Sequence, residues 1–145
     1  MKLLKDKISS WLINYLTDND MESFVIGISG GIDSAVTSTL CAMTGKRTIV
    51  VTMPIHQNPD ETFRGMNHID WLKDNYANVE QYNIELTGIY KNFQVEAPAL
   101  FQNDLSLANT RARIRMSTLY LIAGGSKGLV VGTGNKVEDF GVGFY

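Results

Sequence analysis

The chain has 145 residues, 44% hydrophobic and 19% charged, which suits one globular domain with a sizeable core and excludes a disordered chain. Fifteen acidic against 13 basic side chains leave a net charge of −2, against a dedicated nucleic-acid binder with its basic patch. Cys41 is the only cysteine, which excludes an internal disulfide, a zinc cluster and paired-thiol chemistry and leaves a small, buried apolar residue on a predicted helix.

Residues 2–17 carry Leu4, Ile8, Trp11, Leu12 and Tyr15 at helical spacing, predicting an amphipathic N-terminal helix packed on the domain. Lys2, Lys5 and Lys7 precede no continuous apolar core, and no run reaches membrane-spanning length. No signal peptide and no membrane partner are therefore expected, and a cytoplasmic location is the default. Residues 24–28 read as the first strand. Residues 32–44 read as a helix with Ile32, Ala35, Val36, Leu40 and Met43 inward, and Gly45 stands where a C-terminal cap belongs. Arg47 to Met53 is rich in β-branched residues with little alternation, as in a strand buried on both faces of a parallel sheet.

Pro54 ends that strand, and Pro59 sits near the first turn of a helix running to about Asn75, with Phe63, Met66, Ile69 and Leu72 inward. Trp11 and Trp71 occupy core-like helical positions. Val79 to Leu86 is a third strand and 87–94 a short helix. Residues 104–123 form the strongest helix, with Leu105, Ala108, Ala112, Met116, Leu119 and Ala123 inward and Gly124-Gly125 as terminators. Leu129 to Thr133 is the last strand. Strands alternating with helices predict an α/β fold, an open parallel sheet with helices on both faces, in one domain over 1–145.

The stretch Gly27-Ile28-Ser29-Gly30-Gly31-Ile32-Asp33-Ser34 joins a strand to a helix N-terminus. Unpaired N–H groups and the helix dipole make that junction a phosphate cradle. The two central glycines permit close backbone approach, Ser29 and Ser34 add hydroxyls, and Asp33 suits a hard cation such as Mg²⁺. A Walker A loop is excluded, because Ile32-Asp33-Ser34 stands where Gly-Lys-Ser/Thr belongs. Ligands of open parallel sheets bind beyond the carboxyl ends of the strands. The second strand brings Met53 and Pro54 to that edge, and the last brings Gly132-Thr133-Gly134-Asn135-Lys136-Val137-Glu138-Asp139. Glu138 is thus a candidate to join Asp33 on one Mg²⁺, and Thr133 a candidate donor to a ribose or phosphate oxygen. His56, following the second strand, is a candidate to border an adenine site, although surface or packing roles are favoured for both His56 and His68.

The loop Ser29 to Ser34 resembles the pyrophosphate loop of the ATP pyrophosphatases, which cleave ATP between its α- and β-phosphates. Together with Asn109-Thr110-Arg111-Ala112-Arg113-Ile114-Arg115-Met116 and Val130 to Glu138, the chain is similar to the ammonia-dependent NAD synthetases, whose fold is the Rossmann-like adenine nucleotide alpha-hydrolase type. That resemblance implies adenylation of nicotinate adenine dinucleotide (deamido-NAD) by ATP, then displacement of AMP by ammonia to give NAD. It implies ATP on Gly27, Ile28, Ser29, Gly30, Gly31, Ile32, Asp33, Ser34, Met53 and Thr133. It also implies Mg²⁺ on Asp33 and Glu138, and the dinucleotide acid on Arg113. Arg111 and Arg115 are weaker candidates, either of them able to pair with acids at a subunit interface. No nucleophilic serine or cysteine is required.

The family forms homodimers, with the 104–123 helix in the expected interface. It also continues beyond Phe144-Tyr145 into a Thr-Lys-Tyr-Gly-Asp-type segment and further ATP contacts. This chain is therefore expected to lack a C-terminal part, including the acid near the nicotinate ring. A glutaminase cysteine is missing and only one helix precedes the first strand, so free ammonia is the expected nitrogen donor unless a separate glutaminase partner delivers it. The rivals are another ATP pyrophosphatase, such as a GMP-synthetase-type amidotransferase, and a non-catalytic adenine-nucleotide sensor. A tRNA-thiolation enzyme would need more cysteines than Cys41.

Overall fold

The computed structural model describes residues 2–138 and 140. Its elements run α1 (Lys2–Asp18), β1 (Ser23–Gly27), α2 (Ile32–Ala42), β2 (Arg47–Thr52), α3 (Pro59–Asn75), β3 (Val79–Asn83) and α4 (Thr87–Glu96). A 3₁₀ turn (Ala99–Phe101), α5 (Asp104–Gly125) and β4 (Gly128–Val130) follow. The four strands form one sheet in the order β3-β2-β1-β4, every neighbouring pair parallel. The predicted α/β architecture, an open parallel sheet covered on both faces, is what the chain adopts.

Alternation along the strands explains the two layers, since successive side chains leave a strand on opposite faces. Phe24, Ile26, Ile28 and Val50 pack with Leu12 and Leu16 of α1, Cys41 and Ala42 of α2, and Ile69 and Leu72 of α3. Val25, Ile49, Val51 and Met53 face the other way, onto Leu86, Tyr90 of α4 and Ala123 of α5. Cys41 is fully buried, as expected of a small apolar residue, and burial pushes its thiol up to about 12.

Several inward faces differ from the expected ones. In α1 the buried stripe is Ile8, Leu12 and Leu16, while Leu4, Trp11 and Tyr15 are exposed, with Trp11 and Tyr15 stacked on each other at 5.2 Å. In α2 the buried positions are Ser34, Ser38, Cys41 and Ala42, and Ile32 and Val36 face out. The helix starts against a tightly folded loop, and its small residues let it lie close to the sheet. Ser38 keeps its polar atom satisfied through Ser34 O at 2.7 Å and His68 Nε2 at 2.9 Å. Phe63 and Trp71 of α3, and Leu105 and Met116 of α5, are also exposed.

Helix ends follow local chemistry. Asn58 caps α3 through the N–H of Asp60 with Pro59 in the first turn, and Asn103 and Ser106 form a reciprocal capping box on α5. Gly45, at φ +73°, turns the chain after α2 as expected. Gly124 and Gly125 are the last two residues of α5, which therefore ends two residues later than expected. The helix runs through both, and the reversal falls on Ser126 and Lys127, the latter at φ +49°. Strand β3 stops at Asn83, short of Leu86, because Leu86 already donates its N–H to Pro54 O and leads into α4.

Candidate nucleotide site

Sheet order places the site. From β1 the chain steps outward to β2 and β3, then crosses back to lay β4 on the opposite side of β1. The loops leaving β1 and β4 therefore part at a topological switch point, the crevice where open α/β sheets take ligands. The structure closes these two loops on each other: Asn135 Nδ2 donates to Asp33 Oδ2 at 3.2 Å, while Asn135 Oδ1 accepts from the N–H groups of Val137 and Glu138. One side chain thus ties the Glu138 loop to the first acid of the β1 loop.

The β1 loop is rigidly built. Ser34 Oγ donates to Gly31 O at 3.0 Å and accepts from Ser29 N–H at 3.3 Å; Ser29 Oγ accepts from Gly31 N–H at 3.2 Å and lies 3.2 Å from Ser34 Oγ. The two hydroxyls brace the turn, and the first N–H groups of α2 have no acceptor within the helix, the arrangement that suits helix N-termini to anions. Gly30 has φ +89°, and a Cβ there would lie 2.2 Å from Glu61 O, so only glycine lets α3 press against the loop. Gln57 Nε2 adds a bond to Ser29 O at 2.9 Å.

Beside the loop opens a cavity of about 700 Å³. Gly27, Ile28, Ser29, Gly31, Met53 and Thr133, six of the residues singled out for ATP, line it together. A second cleft, about 420 Å³, is lined by Gly30, Ile32 and Ser34, with Arg64 and His68 of α3. Asp33 lines neither space and meets Asn135 instead, and Glu138 is exposed beside that same asparagine. Arg113 is exposed and stands outside the cavity lining, whereas Arg115 lines it, half-buried, with Nε donating to Met53 O at 2.9 Å. Burial, then the nearby Arg111 charge, lowers the Arg115 pKa, against a smaller opposing pull from Glu61. Arg111 itself lies over the Tyr90 ring and donates to its hydroxyl at 3.0 Å. Asp139 lies outside the described residues.

Sequence reasoning missed Gln57, Glu61 and Arg64, and ranked Arg115 of α5 below Arg113, although Arg115 is the one that lines the cavity. The first three follow β2 at the same carboxyl edge, so the strand-end rule already pointed to them. His56, expected at a surface or packing position, stands on the cavity rim with φ +46° and its ring edge-on to Tyr90. His56 thus lines the cavity, in keeping with its place after the second strand. His68 packs as expected, stacked near Trp71, and burial lowers its pKa.

Fold and site together define an α/β protein with a braced glycine-rich loop, lacking a Walker lysine, at the switch point of a parallel sheet. The chain belongs to the NAD synthase family, whose model matches residues 4–145. Among its relatives are the NH(3)-dependent NAD(+) synthetases of Carboxydothermus hydrogenoformans (34% identity, 92% of this chain, 54% of that protein) and Methanosarcina acetivorans (34%, 97% and 55%). Similar solved structures include an NMN synthetase from Francisella tularensis (TM-score 0.89, 32% identity, 99% of this chain, 58% of that one). Another is an NH3-dependent NAD synthetase from Campylobacter jejuni (TM-score 0.88, 29%, 99% and 60%). The chain spans about half the length of the curated relatives it matches. Among the described residues no helix is long and apolar enough to cross a membrane.

Proposed function

We propose that this chain is the ATP-binding part of an ammonia-dependent NAD synthetase. The carboxylate of nicotinate adenine dinucleotide attacks the α-phosphate of ATP, the bond from that phosphorus to the β-phosphate oxygen breaks, and pyrophosphate leaves with the electron pair. Ammonia then attacks the acyl adenylate, loses a proton and expels AMP, leaving the amide of NAD. Adenylation turns a poor electrophile into a good one, so the protein's work is positioning and charge neutralisation. The observation that carries this reading is the braced Gly27–Ser34 loop, joined by Asn135 to the Glu138 loop at the switch point.

In this reading Gly27 to Ser34, Met53 and Thr133 hold ATP, and Arg113 takes the dinucleotide acid. Asp33 and Glu138 are assigned to Mg²⁺. The donor set suits that ion: two hard carboxylates on loops that Asn135 joins through Asp33 Oδ2 and the Glu138 N–H. Among the described residues no three His, Cys, Asp or Glu side chains gather to hold a metal by themselves. Mg²⁺ commonly takes one or two carboxylates and completes its shell with water and phosphate oxygens. Bound there, it would neutralise charge on the phosphates. Cys41 is buried with its thiol pushed up to about 12, so it is not itself a nucleophile in this reaction. A second copy of the chain is proposed to cover the exposed apolar side chains Phe93 of α4, Leu100 and Phe101 of the 3₁₀ turn and Leu105 at the start of α5. A cytoplasmic location goes with these soluble substrates.

The test is incubation of the full-length protein with ATP, Mg²⁺, nicotinate adenine dinucleotide and ammonia, with products read by mass spectrometry. NAD and AMP that require all four components support the proposal, and intact ATP sinks it. The similarity to an NMN synthetase favours a second reading, in which the acceptor is the mononucleotide acid. Supplying nicotinate mononucleotide in a parallel reaction decides between the two.

A further inference from the structure

Helix α3 brings the phosphate loop a cation that the loop's own sequence lacks. The backbones of Gly30 and Glu61 are in contact, which sets the first turns of α3 against the loop. One turn beyond Glu61, Arg64 donates from Nε to Gly30 O at 3.3 Å. Arg64, like Gly31, lines both the large cavity and the smaller cleft. Among the described residues no carboxylate comes within 4.0 Å of it, and neither terminal nitrogen has a hydrogen-bond partner. Among the described residues Glu61 is the only acid lining the large cavity, against Arg64 and Arg115, so this part of the lining carries a positive balance.

An exposed arginine needs no partner, and a single long bond to Gly30 O would amount to a brace. Position argues for more. A guanidinium fork suits phosphate oxygens, and this one is fixed at the mouth of a helix N-terminus already suited to anions. We propose that Arg64 binds the β- and γ-phosphates of ATP, standing in for the lysine of a Walker A loop, and countercharges the pyrophosphate as it leaves. The assignment rests on the ATP-cleaving function proposed above.

Calorimetric titration of the full-length protein with ATP, AMP and inorganic pyrophosphate, each with Mg²⁺, tests it in Arg64→Gln and Arg64→Lys. Gln keeps a donor for Gly30 O without the charge; Lys keeps the charge. Arg64→Gln should weaken ATP and pyrophosphate about 10- to 100-fold, the range of a charge-assisted hydrogen bond, and leave AMP within about two-fold. Arg64→Lys should recover most of the loss. Equal losses for ATP and AMP, no loss at all, or a Gln variant that binds like wild type would overturn the assignment while leaving the proposed reaction intact. A wild-type protein that binds no ATP would overturn both.

Discussion

Gly30→Ala tests whether the phosphate loop exists only because α3 can press on it. Gly30 sits at φ +89°, where an L side chain is strained by about 1–2 kcal/mol. The added Cβ would also lie 2.2 Å from Glu61 O and 3.0 Å from Glu61 C, backbone atoms that no rotamer change can move. Relief demands that the loop or the start of α3 shift by the better part of an ångström, at an overpacking cost of about 1–3 kcal/mol. The sum, about 2–5 kcal/mol, is a large share of a typical domain's stability. At roughly 3 °C per kcal/mol for a chain this size, Tm should fall by about 6–15 °C. Differential scanning calorimetry gives that shift, and ATP titration of the same variant reports the loop. Since the displaced segment carries Ser29, Gly31 and Arg64, affinity for ATP should fall more than ten-fold. A Gly30→Ala protein with unchanged Tm and unchanged ATP affinity would refute both the clash and the link between α3 and the loop.

Gly124→Ala is the contrasting case: Gly124 lies within α5 with nothing within 4 Å of its would-be Cβ. It should raise stability by about 0.5–1 kcal/mol, seen as a higher urea midpoint with unchanged slope. Cys41 should resist iodoacetamide in the folded protein at pH 8 and react on unfolding. The unfolded thiol ionises near 9 and the folded one only near 12. Its contribution to stability is therefore complete below pH 9 and lost as pH rises toward 12, which denaturation at stepped alkaline pH would register. Asp33→Asn and Glu138→Gln should each lower Mg²⁺-dependent ATP cleavage about 30- to 1000-fold with Tm nearly unchanged; full activity in both would dismiss the metal assignment. Phe101→Glu, at a side chain 66% exposed, should convert a dimer to a monomer in sedimentation without loss of secondary structure. A protein already monomeric before the change would remove the dimer proposal.

Local chemistry determined most of the secondary structure. The β-branched run 47–53, Pro59 behind Asn58 and the break at Ala97-Pro98 place their elements because propensity, capping and backbone sterics act within a few residues. The Gly27–Ser34 motif was legible for the same reason, since a strand, a turn and a helix N-terminus are contiguous in the chain. Inward faces were less legible. Ile32, Val36 and Trp11 are apolar at helical spacing yet exposed, while Ser34 and Ser38 are buried. Burial there depends on how closely α2 approaches the sheet, and a single helix cannot disclose that distance. Only the tertiary structure set β4 beside β1, the order that makes the switch point and lets Asn135 reach Asp33 across 102 positions of chain. Arg64 likewise reaches Gly30 across 34 positions. These contacts join segments that no local propensity relates. They form because the apolar faces of the strands and helices bury together in one arrangement, and the site's charges go where that packing carries them.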